Sequence, residues 1–167
     1  IEPPRDEVFA DLTSDLRNGS VTPVLIGAAE NGNGVLRLLK TIRHDAPGIP
    51  ETCQRIGLNG ANATVTQVIK TIHTAHGGKL SVARVLSGSL KDGDELYGAD
   101  ENAMRVSGLY RLVGHEQTKL GDAATGETVA LGKLEDAHTG DVLSTTKGTR
   151  TEIVPTTPPA PVYSIAL

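Results

Sequence analysis

The stretch SVARVLSGSLKDGDEL, residues 81–96, decides the fold. Leu80, Val82, Arg84 and Leu86 alternate with Ser81, Ala83, Val85 and Ser87, the period of two that marks a β-strand. Both faces carry apolar residues, which predicts a strand with neighbours on each side. Arg84 is the polar exception and predicts an exposed or snorkelling side chain. Gly88 ends the run. Lys-Asp-Gly-Asp then predicts a hairpin turn, because Gly93 accepts a positive φ, and a new strand starts at Glu95. Half a calcium loop is the competing reading of KDGD. It lacks the later ligands and the closing Glu of such a loop.

The same grammar extends in both directions. TVTQVIKTI (64–72), MRVSGLYRLVG (104–114), ETVALGKL (127–134) and HTGDVLSTT (138–146) are short, apolar-patterned and separated by Gly and Asp. About six such strands predict a mainly β fold, a closed six-stranded β-barrel over residues 64–148. The N-terminal part obeys a different period. Phe9, Leu12 and Leu16 form one helical stripe after Pro3, Pro4, Asp6 and Glu7, with Asn18-Gly19 as the stop. VTPVLIGAA (21–29) predicts a buried strand, and Val35, Leu38, Leu39 and Ile42 a second helix. Residues 1–48 therefore predict a helix–strand–helix piece of an α/β layer. Residues 49–63, rich in Pro, Gly and Asn, predict a linker, and the Pro-rich 149–167 a connector leading into a further strand. A start without Met, and a final strand without a partner, lead us to expect a piece cut from a longer protein.

Composition narrows the function. The chain has 167 residues, 38% apolar content, 2% aromatic content and no Trp, so its core is built from Val, Leu, Ile and Ala. A net charge of −4 argues against a free-standing nucleic-acid binder. The single Cys53 forms no internal disulfide, which predicts a cytoplasmic setting. No apolar run approaches the roughly 18 residues of a membrane helix. Gly32-x-Gly34 imitates a dinucleotide fingerprint, but Arg37 occupies the third glycine's place. His73 and His76 point to opposite faces of an extended chain and, with His44, His115 and His138, predict no metal site. Cys53 has no His near it in sequence and predicts no nucleophile. No Gly-x-Ser-x-Gly, carboxylate pair or phosphate-cradling loop is present, so no catalytic residue is assigned. A stand-alone ligand- or oligonucleotide-binding barrel is the alternative. It predicts stacking aromatics, of which the barrel has only Tyr97 and Tyr110.

Five stretches, taken in order, carry a family resemblance. TPVLIGAAENGNGVLRLL (22–39) resembles the end of the GTP-binding domain of elongation factor G, where a strand runs into the loop that meets guanine. GGKLSVARVLSGSLKDGDEL (77–96) and VSGLY (106–110) are similar to that family's second domain. GETVALGKLEDAHTGDVL (126–143) resembles its closing Thr-Gly-Asp segment, and PAPVYSIAL (159–167) the entry to its third domain. The resemblance implies the end of a GTPase domain, a complete domain II barrel and the start of domain III. It implies a parent that uses GTP and Mg²⁺, while this piece lacks the P-loop and is inactive. Gly27, Ala28 and Ala29 then stand at an incomplete guanine loop, with Ala28-Ala29 replacing the family's Ser-Ala. The implied partners are the ribosome, through small-subunit RNA, and the parent's own GTPase domain. Lys79, Arg84, Lys91, Arg105 and Arg111 are the candidate RNA contacts. Related release factors and ribosome-protection GTPases share the barrel.

Overall fold

The structure is a computed structural model that describes residues 4–58, 63–74, 78–114 and 116–149, together with Ile153 and Val162. Most of the predicted tail, 149–167, thus lies outside the described residues. The chain divides into two compact units, residues 1–59 and 60–167.

The first unit is helical. Helix α1 (Arg5–Asn18) starts at Pro4, carries Asp6 and Glu7 in its first turn, and stops at left-handed Gly19. Gly19 and Ser20 donate their N–H groups back to Leu16 and Asp15. Helix α2 (Val35–His44) follows the predicted spacing. Two expectations fail here. Residues 21–27 form no strand; Ala28 makes one isolated bridge with Asn33, and a short 3-10 turn covers Ala29–Asn31. A parallel strand needs partners on the same sheet, and the described residues of this unit supply none. Val24 and Ile26 accordingly lie open at 86% and 91% exposure. Part of the predicted linker is a third helix, α3 (Ile49–Arg55), started by Pro50 at its first turn and steadied by Thr52 Oγ1 donating to the Gly48 carbonyl. None of the three helices buries a residue.

The second unit holds, among its described residues, ten strands: β1 (Val65–Thr74), β2 (Gly78–Ser87), β3 (Ser89–Lys91), β4 (Glu95–Tyr97), β5 (Ala103–Arg105), β6 (Leu109–Val113), β7 (Glu116–Lys119), β8 (Asp122–Ala124), β9 (Thr128–Gly132) and β10 (Val142–Ser144). Eight form one sheet in the order β5-β4-β10-β1-β2-β9-β6-β7, and β3 pairs with β8 in a separate ribbon. The expected closed six-stranded barrel is therefore corrected to an open eight-stranded sheet plus a two-stranded ribbon. The two ends do not meet because each is short and polar. All four residues of β7 are exposed, and β5 is three residues long with Ala103 and Arg105 exposed. The sheet nonetheless bends around a single core. Val68, Ala83, Val85, Leu90, Leu96, Leu109, Ala123, Val129, Leu131 and Leu143 come from eight different strands and pack in one cluster. Register shifts between Val65 and Thr66 and between Val68 and Lys70 supply local bending in β1.

The predicted hairpin at KDGD is also corrected. β3 pairs with β8, and β4 pairs with β5 and β10, so the turn carries the chain from the ribbon to the main sheet. Its backbone is claimed by distant segments: the Asp92 N–H donates to the Gly121 carbonyl, the Gly93 N–H to Val106, and the Val106 N–H to Asp94. The corner before it is Gly88, φ +74°. An added Cβ there would lie 2.5 Å from Thr64 Oγ1 and 2.9 Å from the Thr64 Cα. Thr64 in turn donates its hydroxyl to the Ser89 carbonyl, and Thr125 donates to the Gly88 carbonyl.

Gly88→Ala combines a left-handed backbone with a collision against main chain, and costs about 2 kcal/mol or more. Gly121→Ala, where nothing lies within 4 Å, serves as the control. Urea unfolding of the two variants checks this: the midpoint drops for Gly88→Ala and stays near the parent's for Gly121→Ala.

Candidate functional site

The predicted basic residues divide by what holds them. Lys79, on β2, is only 8% exposed, and its ammonium donates to the Glu135 carbonyl. That bond ties β2 to the loop after β9, so the charge is committed to the fold. Arg84, on the same strand, is exposed and donates from Nη1 to Thr128 Oγ1 at 3.1 Å, its partner residue on β9. Glu127, one residue earlier, accepts from Arg111 Nη2 at 3.0 Å. Its other oxygen accepts from the Ala124 N–H at 2.9 Å. The two arginines of β2 and β6 are thus fixed on neighbouring residues, 127 and 128. The Glu127 carboxyl is held below its ordinary value, first by the Ala124 N–H and then by Arg111.

A second group gathers around Asp92. Its Oδ1 accepts from the Gly108 N–H at 2.8 Å, and its Oδ2 pairs with Lys119 at 3.1 Å. Arg105 is the third neighbour, close enough to contribute attraction. Lys91 stands next to Asp92 in sequence and is exposed; its backbone N–H is received by the Asp94 carboxylate at 2.8 Å. The turn therefore brings Arg105, Lys91 and Lys119 into one neighbourhood. Lys119 was missed in the sequence because β7 is wholly polar and offers no alternation to read. The Asp92 carboxyl sits below its ordinary value of 3.8, chiefly through the Gly108 N–H, then through Lys119, with Arg105 adding less.

The predicted guanine-loop residues lie in the first unit. The Ala28 N–H donates to the Asn33 carbonyl at 2.9 Å, and the Asn33 N–H returns to Ala28 at 3.1 Å. Gly27 and Gly34 let the two sides of the loop touch: an added Cβ would come within 2.7 Å of the Asn33 carbonyl and 2.6 Å of the Ile26 carbonyl respectively. Ala28 and Ala29 are exposed. The Ala28 N–H is already spent inside the loop, and the Ala29 N–H begins the 3-10 turn without a partner inside it. These residues supply backbone groups for a base edge and nothing that neutralises phosphate. They do not by themselves fit a nucleotide.

Other candidates fall away. His73 is exposed, His138 pairs with Asp141 at 3.8 Å, and His76 and His115 lie outside the described residues. Among the described residues no three His, Cys, Asp or Glu side chains gather to hold a metal. No helix there is long and apolar enough to cross a membrane. A groove of about 690 Å³ opens beside β4 and β10, lined among others by Tyr97, Glu101, Asp141, Ser144 and Thr149. Lys147 stands over the Tyr97 ring, 5.1 Å from its centre. The charged residues that line the groove are the carboxylates Glu101 and Asp141.

Comparison with known proteins gives consistent matches. Residues 63–146 match the family model of elongation factor G domain 2. The chain is 38% identical to the elongation factor G-like protein of Synechocystis sp., over 100% of the chain and 24% of that protein. It is 32% identical to elongation factor G 1 of Syntrophomonas wolfei, over 75% of the chain and 21% of that protein. It is 30% identical to the mitochondrial ribosome-releasing factor 2 of Drosophila ananassae, over 77% of the chain and 17% of that protein. A crystal structure from Thermus thermophilus superposes with a TM-score of 0.68 at 26% identity, over 96% of the chain and 24% of the solved one. The chain thus spans about a quarter or less of the length of these relatives.

Because its pKa is lowered by folding, Asp92 stabilises the native state above the unfolded carboxylate value, and that contribution is lost as pH falls through the folded value. Asp92→Asn keeps an acceptor for the Gly108 N–H while removing the charge. The stability gap between parent and variant should be constant near neutrality and close as the pH falls below 3.8. Denaturation curves at a series of pH values measure it; a gap that widens on acidification contradicts the assignment.

Proposed function

The chain belongs to the elongation factor G domain 2 family, and from that premise we propose that it is the domain II portion of a larger ribosome-associated GTPase acting in translation. The observation that carries the reading is the family match over the whole of the bent sheet, residues 63–146. Residues 1–48 correspond in this reading to the end of the GTP-binding domain, 49–63 to the connection, 64–148 to domain II and 149–167 to the approach to domain III. The exposed apolar stripe of α1 and α2, including Phe9, Leu12, Leu38, Leu39 and Ile42, supports it: such a face suits a helix layer laid on a sheet.

In the parent, GTP and Mg²⁺ would be held by a P-loop and switch segments. The present chain has no G-x-x-x-x-G-K-[ST] and cradles no triphosphate. Its contribution to a nucleotide is limited to backbone at Gly27, Ala28 and Ala29. The role left to it is docking. Arg84, Arg105 and Arg111 are exposed on the main sheet together with Lys119, and Lys91 is exposed on the β3–β8 ribbon. Contacts of this kind position a protein on a phosphate backbone without reading sequence. Arg111 and Lys119 are part-neutralised by Glu127 and Asp92, and Arg84 donates to the Thr128 hydroxyl, so affinity from this piece alone is weak and salt-sensitive. Lys79, with its ammonium spent on Glu135, contributes little. A cytoplasmic setting fits the bacterial relatives, while the fly relatives are named mitochondrial. A release or recycling role for the parent is the second reading, favoured by the ribosome-releasing factor names among the relatives.

Co-sedimentation with isolated small ribosomal subunits tests the docking role. Arg84→Gln together with Arg111→Gln should weaken binding and flatten its salt dependence by about one unit of slope per lost phosphate contact. Lys79→Met should leave that slope unchanged. Binding that is absent at low salt, or indifferent to the arginines, contradicts the proposal. Calorimetric titration with GTP should show no binding to this chain, and micromolar affinity would overturn the assignment of residues 1–48.

A further inference from the structure

Asn-Gly steps are the bonds at which a protein chain rearranges most readily, because glycine has no side chain to shield its nitrogen from the preceding amide. The described residues contain three: Asn18-Gly19, Asn31-Gly32 and Asn33-Gly34. Their hydrogen bonding differs. The Gly19 N–H donates to the Leu16 carbonyl at 3.1 Å, and the Gly32 N–H to the Ala29 carbonyl at 3.1 Å. The Asn18 amide is also engaged, donating to Ser14 Oγ. The Gly34 N–H has no partner among the described residues, and the exposed Asn33 side chain has none either.

We propose that Asn33 is a self-modification site, where the free Gly34 amide drives deamidation and backbone isomerisation of the exposed loop before α2. The Gly34 nitrogen gives its proton to solvent base and attacks Cγ of Asn33. A C–N bond forms, the bond to the side-chain amide nitrogen breaks, and that nitrogen leaves as ammonia with a proton from water. Water then opens the five-membered imide at either carbonyl. One opening leaves aspartate; the other leaves isoaspartate, with the chain running through the former side-chain carbon. No oxidant or cofactor enters; water is the only co-reactant. At Asn31 and Asn18 the corresponding nitrogen must first lose a hydrogen bond.

The product matters to the loop. Isoaspartate places one more backbone atom between the Asn33 N–H and its carbonyl. Both groups are used by the paired bonds to Ala28. The contacts at Gly27 and Gly34 leave no slack to absorb the added length. The clasp that shapes residues 27–34 therefore opens, and a negative charge is added one position before the α2 N-cap. The reaction depends on this chain and water alone, independent of the parent protein's role.

One tryptic peptide, residues 18–37, carries all three sites. The intact chain is held at mildly alkaline pH, sampled over time, and mapped by tandem mass spectrometry with isoaspartate detection. Asn33 should convert about fivefold faster than Asn31, the factor that corresponds to ~1 kcal/mol for one net amide hydrogen bond. The same chain in concentrated urea should lose the selectivity between Asn31 and Asn33. Conversion at Asn33 no faster than at Asn31 and Asn18, or a preference that survives in urea, overturns the proposal. Asn33→Gln should remove the fast phase while leaving the others.

Discussion

The second unit depends on one steric constraint: main chain must cross main chain at Gly88. The Gly88 Cα region lies against the backbone of Thr64, so only a residue without Cβ lets β2 turn into β3 there. Two hydroxyls, from Thr64 and Thr125, then lock the crossing by donating to carbonyls on either side of it. Because the chain turns at that point, β3 leaves the main sheet and meets β8. Leu90 and Ala123 are thereby pressed into the same core as Val85 and Leu96. A sheet that continued straight would leave this core open on one side.

The polar surface follows from that geometry. The turn after β3 does not join two paired strands; its Asp92 N–H donates to Gly121, and Gly93 and Asp94 exchange bonds with Val106. This places Asp92 where it accepts from Gly108 and attracts Lys119 and Arg105. Each carboxylate of this kind orients a cation and weakens it as a phosphate ligand at the same time. The outcome is two local groups of cations, Arg84 with Arg111 at residues 127–128 and Lys119 with Arg105 at Asp92, each held by a neighbouring acceptor or carboxylate.

Much of this was legible in the sequence, and the failures have physical causes. Strand β2 was readable because alternation and burial agree: Ser81, Ala83 and Val85 face the core while Arg84 points out. The position of Gly88 was readable, but not its partner, since Thr64 is distant in sequence. Strand count and turn spacing predict a closed barrel but say nothing of whether the outermost strands find each other. β5 and β7 carry too little apolar surface to do so. The apolar, β-branched composition of residues 21–29 predicts a strand, yet a strand exists only where another chain segment accepts its hydrogen bonds. Of the candidate site, Arg84 and Arg111 were legible as exposed charges. The commitment of Lys79 was not, because its acceptor is a carbonyl 56 residues away.

The central claim is that the bent sheet is a cooperative body with its own core, whereas the helical unit described by residues 4–58 has no buried residue in any helix. Native-state amide hydrogen exchange on the intact chain tests this most directly. The account predicts that amides of β1, β2 and β9 exchange last and together, at the rate of global unfolding, while those of α1, α2 and α3 exchange through local opening long before. Helical amides protected as strongly as those of β2, or an early loss of protection in β2 and β9, would contradict it.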